Sequence, residues 1–266
     1  MRIDYEEALA LIETDSIEGL KRIKAIADDG YIPAISFLGD CYLTGQYAEV
    51  NYSSALQWYS KASACEHAYS QRMIGTMYLT GKGVSENHNT AFDWFELAAE
   101  NGDMLGQFYS AQLLYGGLGV VANKVDAVKW YILAADQGHG ESCLKLGDIY
   151  AEGTDRIQVD ESKAIKYYQL AMKYGIEEAR PRFEKLYKDE LELRVGEAIS
   201  KGLTESQLKE FDLITDKIEA SKWLEENKPD YRNMVKDIIR EMEYEFPIIK
   251  YDLKRLQEPK AKDEDS

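Results

Sequence analysis

The chain has 266 residues, of which 45% are hydrophobic and 30% are charged, a composition typical of soluble globular proteins and not of fibrous or wholly disordered ones. Acidic residues outnumber basic residues by 48 to 32, and the formal net charge of −16 argues against nucleic acid and membrane surfaces as partners, whereas a basic protein would be attracted. The N-terminal residues are acidic, no run of residues is apolar enough to span a bilayer, and the three cysteines are too few for a disulfide framework. These features predict a cytoplasmic protein.

Beginning near residue 33, the sequence repeats itself with a period of 36 residues. The copies of the first motif are LGDCYLTG at 38–45, IGTMYLTG at 74–81, SAQLLYGG at 110–117 and LGDIYAEG at 146–153. The copies of a second motif, A-x-x-W-Y-x-x-A with small changes, begin at Ala55, Ala91, Ala127 and Ala164. The last copy starts one residue late, which places an insertion in the loop at 154–159. Agreement at so many positions predicts four tandem units.

Both motifs carry the signals of a helix. Apolar and small residues recur three, four and seven positions apart, so they fall on one stripe of a helix. The residues predicted to end the first helices are Gly45, Gly81, Gly117 and Gly153. Those predicted to cap the starts of the second helices, at about 1 kcal/mol each, are Asn51, Asn87, Asn123 and Asp160. Since one helix pair cannot bury its own apolar face, the pairs must stack into a solenoid.

A small residue occupies the middle of every first helix, where glycine costs about 1 kcal/mol relative to alanine. These residues are Gly39, Gly75, Ala111 and Gly147. The cost is explained if another helix approaches closely at that point. We expect the repeated tryptophans Trp58, Trp94 and Trp130 to fill the space beside these gaps, and we favour this core role over the alternative of ligand stacking.

These motifs resemble the Sel-one-like repeats, a tetratricopeptide-like solenoid family with units of about this length. The resemblance covers roughly residues 16–189, and the copy at 74–84, followed by 91–102, matches best. It implies an all-α fold, an α/α superhelical solenoid of antiparallel helix pairs, with a concave face lined by the first helix of each unit. It also implies a non-catalytic adaptor or scaffold. Some secreted bacterial relatives carry a disulfide in each repeat, which this chain lacks, so their functions are not transferred to it.

The ends of the chain depart from the repeat. Residues 1–189 are expected to form the solenoid, with four full repeats near 33–176, N-terminal cap helices near 4–13 and 18–27, and a first-helix match from Ala179 onward. Residues 190–256 are expected to form a C-terminal helical region, with a capping box at 204–207, and residues 257–266 a disordered tail. Residues 203–245 are similar to a short helical module of unknown function in bacterial proteins, which brings no activity.

No arrangement of residues indicates catalysis, a metal or a cofactor. His67, His88 and His139 fall in loops, with whole repeats between them, so they are not placed to share one metal ion. The Ser-x-x-Lys matches at 142–145 and 206–209 lack the partner motifs of β-lactam-binding enzymes. We therefore predict that the protein is not an enzyme, and a hydrolase-type activity is an alternative without a supporting site.

The positions that do not repeat indicate where a partner would bind. On each first helix, the positions three before, one after and four after the central small residue share a stripe away from the packing positions. By the resemblance, this stripe lines the concave groove, and its mixture of aromatic, apolar and charged groups is typical of an interface centre. The residues assigned to partner binding are Asp40, Leu43, Arg72, Thr76, Leu79, Phe108, Gln112, Tyr115, Leu144 and Asp148. Phe108 and Tyr115 are the expected anchors, and the alternative is that the C-terminal helices fold back over the stripe.

The sequence thus predicts a bacterial protein–protein interaction module that binds another protein or peptide, with no nucleic acid or membrane partner. A narrower alternative is an immunity or antidote protein that neutralises a basic toxin, which the charge favours. A monomer is favoured over an oligomer, and self-assembly through the solenoid ends is the alternative.

Overall fold

The structure, a computed structural model, describes residues 2–211 and 217–246, and every regular element in those ranges is helical. The helices are α1 (Arg2–Ile12), α2 (Ser16–Asp28), α3 (Ile32–Thr44), α4 (Tyr52–Ser63), α5 (Ala68–Thr80), α6 (His88–Glu100), α7 (Met104–Gly116), α8 (Lys124–Asp136), α9 (Gly140–Glu152), α10 (Glu161–Lys173), α11 (Arg180–Lys201), α12 (Glu205–Phe211), α13 (Lys217–Asn227) and α14 (Tyr231–Glu245). A short 3-10 helix, Glu177–Ala179, precedes α11. The predicted tail and residues 247–256 lie outside the described residues.

The chain divides into two compact units, Met1–Ser142 with Thr154–Ile157, and Cys143–Gly153 with Gln158–Ser266. In the first unit each helix from α1 to α7 packs on the next one along the chain, and α5 also packs on α7. We call α3, α5, α7 and α9 the A helices and α4, α6, α8 and α10 the B helices. This stacking of antiparallel pairs confirms the predicted all-α fold, an α/α solenoid.

Local signals set the helix ends as the sequence predicts. Gly45, which follows α3, has a φ of +82°, a left-handed conformation that glycine adopts without a steric penalty. Asn51 accepts a hydrogen bond from the backbone N–H of Ser54 at 2.9 Å and so caps the start of α4. The equivalent caps, by Asn87, Asn123 and Asp160, are formed in the other three repeats.

The rings that fill the glycine gaps belong to the residue after each tryptophan. A Cβ atom added to Gly39 would lie 2.4 Å from the ring of Tyr59, and one added to Gly75 would lie 2.8 Å from the ring of Phe95. Tyr59 and Phe95 are completely buried, whereas Trp94 is only half-buried. The expectation that the tryptophans fill these gaps is therefore wrong, although Trp58 is buried in a core cluster with residues of α1, α2 and α3. Successive side chains point about 100° apart on a helix, so only one of two adjacent aromatic residues can face the A helix.

In the second unit, α10 packs on α11, and α11 packs on α14. Arg194 of α11 binds Glu245 through two hydrogen bonds of 3.1 and 2.8 Å, and the side-chain amide of Gln169 donates to the carbonyl oxygen of Phe246 at 3.0 Å. The predicted capping box is formed, since the backbone N–H of Thr204 donates to Gln207 at 3.0 Å. Helix α11 begins at Arg180, so the expected boundary near 189 falls inside a helix.

Candidate partner-binding surface

Five of the ten residues assigned to partner binding form an accessible surface on the A helices of the first unit. Gln112 is exposed, and the other four side chains are half-buried. We call this set the A-helix surface; it consists of Leu43, Thr76, Leu79, Gln112 and Tyr115. Because α5 packs on α7, the residues that these two helices contribute lie on adjacent elements. The ammonium group of Lys124 lies 5.7 Å from the centre of the Tyr115 ring.

Asp40 is used inside the first unit. Its carboxylate oxygen Oδ1 accepts hydrogen bonds from the hydroxyl groups of Tyr59 and Tyr69, each at 2.6 Å. Tyr59 lies on the B helix of the same repeat and Tyr69 on the A helix of the next. Burial, followed by these hydrogen bonds, raises the pKa of both tyrosines. Asp40 therefore ties two successive repeats together.

Arg72 also links neighbouring repeats. Its Nε atom lies 2.9 Å from the Asp103 carboxylate, and the two side chains are only 14% and 15% exposed. Asp103 in turn accepts a hydrogen bond from the backbone N–H of Gly106 at 2.6 Å, which caps the start of α7. The guanidinium group lies 5.0 Å from the Tyr69 ring centre. The only sequence signal for this role of Asp103 is its position, which is equivalent to that of His67 and His139.

Phe108 is not an accessible anchor. Its side chain is 5% exposed, and its ring centre lies 4.4 Å from that of His139 and 6.0 Å from that of Tyr131. Ser36, at the equivalent position of α3, is also buried. The position three residues before the central small residue therefore faces inward in these helices. The expectation that Phe108 is an exposed anchor is wrong for this reason.

The last two assigned residues, Leu144 and Asp148, lie on α9 in the second unit. Leu144 is buried, with 8% of its surface exposed. Asp148 accepts a hydrogen bond from the hydroxyl group of Tyr168 at 2.9 Å, and the guanidinium Nε of Arg182 lies 3.4 Å from it. Asp148 thus repeats the contact between Asp40 and Tyr59, and this pairing of aspartate with tyrosine is visible in the sequence.

The histidines at 67 and 139 occupy the position just before an A helix. The Nδ1 atom of His67 lies 2.9 Å from the hydroxyl oxygen of Ser70, and His139 makes the same contact with Ser142. Burial lowers the pKa of both histidines. Within residues 2–211 and 217–246, no group of three or more histidine, cysteine, aspartate or glutamate side chains could hold a metal ion. In the same residues, none of the helices combines the length and the apolar composition needed to cross a membrane.

Comparison with protein families identifies the repeats. The Sel1 repeat model matches four consecutive segments, 32–67, 68–103, 105–139 and 140–173, which together make up more than half of the chain. The chain belongs to the Sel1 repeat family. A second model, described as "Protein of unknown function (DUF5663)", matches residues 170–246 and includes the segment expected to resemble a helical module. A search of curated proteins found no match.

Solved structures of Sel1 repeat proteins share this fold. A Sel1 repeat protein from Oxalobacter formigenes is 22% identical, with a TM-score of 0.62, and the alignment covers 90% of this chain and 99% of that one. A protective antigen with an SLR fold, present in uropathogenic Escherichia coli strains, is also 22% identical, with a TM-score of 0.63. The alignment covers 83% of this chain but spans about half, 52%, of the antigen. At 22% sequence identity, the similarity to these two structures establishes the fold of the chain.

One Sel1 repeat of this chain differs from the other three at a position that is otherwise constant. Three repeats have a tyrosine three residues after the central small residue, namely Tyr42, Tyr78 and Tyr150. The third repeat has Leu114 there, and its side chain is buried. A cavity of about 350 Å³ lies beside Leu114.

Proposed function

We propose that the protein is a non-catalytic protein–protein interaction module, and that the A-helix surface binds a partner protein or peptide. One observation carries this proposal. Along the A helices, the central small residue is buried in every repeat, whereas the positions one and four residues after it are half-buried or exposed and each hold three different residue types among the four repeats. Differences between repeats at accessible positions supply the chemical variety that the recognition of one particular partner needs.

The chemistry of the A-helix surface suits a protein partner. Leu43, Leu79 and Tyr115 provide half-buried apolar area on rigid helices, so few side-chain rotamers are lost on binding. Tyr115 can also donate or accept a hydrogen bond, and tyrosine is common among the residues that dominate interface energies. Gln112 adds an exposed amide with donors and an acceptor. An extended or helical segment lying across α5 and α7 would contact all three kinds of group.

The proposal is tested by capturing partners from the native host with the full chain and with the double variant Leu79→Glu, Tyr115→Glu. We expect the variant to lose the captured partner at least about tenfold, because two charges would be buried at the interface centre. Leu97→Glu is the matched control, since Leu97 is an exposed leucine on the B helix α6. The circular dichroism spectrum should be the same for all three proteins.

A photo-reactive benzoylphenylalanine at position 112 locates the contact directly. We expect it to cross-link the partner, and the same group at position 97 to give no cross-link. A cross-link from position 112 to the C-terminal helices of the same chain would show instead that these helices cover the surface. Capture that survives the double variant would also contradict the proposal.

The net charge of −16 supports a narrower proposal, that the partner is basic and that the protein acts as an immunity or antidote protein against a basic toxin. A bacterial, cytoplasmic protein fits this role. The capture experiment decides this point. An immunity protein returns one basic protein whose toxicity is suppressed on co-expression, whereas a general adaptor returns partners without this property.

A further inference from the structure

The cavity beside Leu114 lies in the first unit, where the second and third repeats meet. Its lining comes from α6, α7 and α8 and consists of Glu96, Leu114, Asp126, Lys129, Trp130 and Leu133. In the fourth repeat, the rings of Tyr150 and Tyr167 stack with their centres 5.7 Å apart. Leu114 and Trp130 are the equivalent residues in the third repeat. Leucine lacks the second ring of this stack, which leaves open space beside Trp130.

In two other repeats a lysine lies over an aromatic residue, at the position of Trp130 in the first repeat and at the position of Leu114 in the fourth. In the first repeat, the ammonium group of Lys61 lies 3.9 Å from the centre of the Trp58 ring. In the fourth repeat, the ammonium group of Lys163 lies 5.1 Å from the centre of the Tyr150 ring. Such contacts are favourable because the face of an aromatic ring carries partial negative charge. The first repeat therefore shows that an ammonium group fits over an aromatic ring at the position of Trp130.

The third repeat has no lysine in either of these positions. The position of Lys61 is taken by Leu133, which is 45% exposed, and that of Lys163 by Asp126. Among the residues that the structure describes, Trp130 takes part in no cation–π contact. The remaining cation of the lining, Lys129, lies 2.6 Å from the carboxylate of Asp126.

The second carboxylate of the lining is short of positive charge. Glu96 forms no ion pair with any residue of the described ranges, and Asp93 and Glu100 lie one turn away on the same helix. Burial, Glu100 and Asp93 each raise the pKa of Glu96. A cation entering the cavity would relieve this repulsion.

We propose that this cavity binds a lysine side chain of a basic partner protein, with its ammonium group between the Glu96 carboxylate and the Trp130 ring and its methylene chain against Leu114 and Leu133. Charge complementarity selects this occupant, because both the cavity and the whole chain are negative. The site shares no residue with the A-helix surface, so either proposal can fail without the other.

The test uses the full ¹⁵N-labelled chain and the indole N–H signals of its four tryptophans, assigned by single Trp→Phe substitutions. The probe is the peptide Ac-Gly-Lys-Gly-NH₂, and the control peptide has norleucine, which keeps the methylene chain but lacks the charge. We expect the Trp130 signal alone to shift and to saturate with the lysine peptide, and binding of the norleucine peptide to be about fivefold weaker or more. Equal shifts with both peptides, or equal shifts of all four indoles, would overturn the proposal.

Two variants with one matched control assign the binding to the cavity. Glu96→Gln should weaken binding about threefold to tenfold. Glu49→Gln removes the same charge from an exposed loop residue and should leave binding unchanged. Leu114→Tyr restores the ring of the other repeats, fills the cavity and should abolish binding. Retained binding in Leu114→Tyr, or equal losses in the two glutamine variants, would show that the peptide senses only the general negative charge.

Discussion

At the scale of single residues, two charged side chains of the A helices, Asp40 and Arg72, act between neighbouring repeats. The ion pair between Arg72 and Asp103 is largely shielded from water, so removal of one partner would leave the other charge poorly solvated. Asp40 is similarly held by two tyrosine hydroxyl groups. In the proposed function, recognition would therefore rest on the five residues of the A-helix surface, which are all uncharged.

The two histidines that precede A helices predict a specific pH dependence of stability. Burial lowers the pKa of His67 and His139 in the folded state below the value of about 6.5 expected in the unfolded chain. Between the two values the unfolded chain binds more protons, so this contribution to stability is complete above about pH 6.5 and is lost as the pH falls toward the folded-state pKa. We expect the free energy of unfolding to decrease as the pH falls from about 7.5 to 5.5.

The double variant His67→Asn, His139→Asn tests this assignment. Asparagine does not titrate and still offers an oxygen that can cap a helix, as Asn51 does before α4. Urea unfolding followed by circular dichroism should show a smaller loss of stability between the two pH values in the variant than in the unchanged protein. The same loss in both proteins would mean that other groups cause the dependence.

At the scale of helices, the small central residue of each A helix sets how closely the B helix can pack. A Cβ atom on Gly147 would lie 2.4 Å from the ring of Tyr168, whereas one on Gly196, inside α11, would meet no atom within 4 Å. Gly147→Ala should therefore destabilise the protein by about 1–2 kcal/mol, because overpacking exceeds the gain in helix propensity. Gly196→Ala should stabilise it by about 0.5–1 kcal/mol.

Urea unfolding of the two glycine variants measures this difference directly. Both substitutions add the same methyl group to a helix of the second unit, so the sign of the change reports the packing alone. If both variants were stabilised, the close approach of α9 and α10 would not require glycine.

The helices themselves could be predicted from the sequence because their signals are local and repeated four times. The period, the glycine at each A-helix end and the asparagine or aspartate before each B helix place most boundaries within a residue or two. The side-chain directions could not be predicted in the same way. Trp58 and Tyr59 recur together, and only the rotation of the helix decides which of them faces the gap beside Gly39.

The candidate site was predictable only in part, because it depends on contacts between repeats. The spacing assigns position 108 to the accessible stripe, but the residues at this position face inward, and the loop residue His139 packs against the Phe108 ring. The cavity beside Leu114 has a sequence signal, namely leucine where three repeats have tyrosine. The sequence alone does not connect this leucine with the binding of a lysine. The connection depends on the lysines that the structure places over Trp58 and Tyr150.

At the scale of the whole molecule, we expect the net charge and the exposed charged residues of α1 to oppose association between copies of the chain. Repeat proteins need a polar outer face on their terminal helices to remain unstacked. In α1, the exposed residues include Glu6, which pairs with Arg2 at 3.1 Å, while Ala8 and Ile12 are turned inward. The formal charge of −16 adds repulsion between copies.

We therefore expect a monomer, with a mass of 30.4 kDa by size-exclusion chromatography with light scattering. Repulsion between copies weakens as salt shortens the screening length from about 20 Å at 20 mM to below 6 Å at 300 mM, so a hidden tendency to associate would emerge at high salt. The mass should be the same at both concentrations, because a second copy stacked on α1 would have to desolvate its exposed charged residues, such as Arg2 and Glu6. A mass near twice the monomer value at high salt would show that charge alone keeps the copies apart. A dimer at both concentrations would favour self-assembly through the solenoid ends.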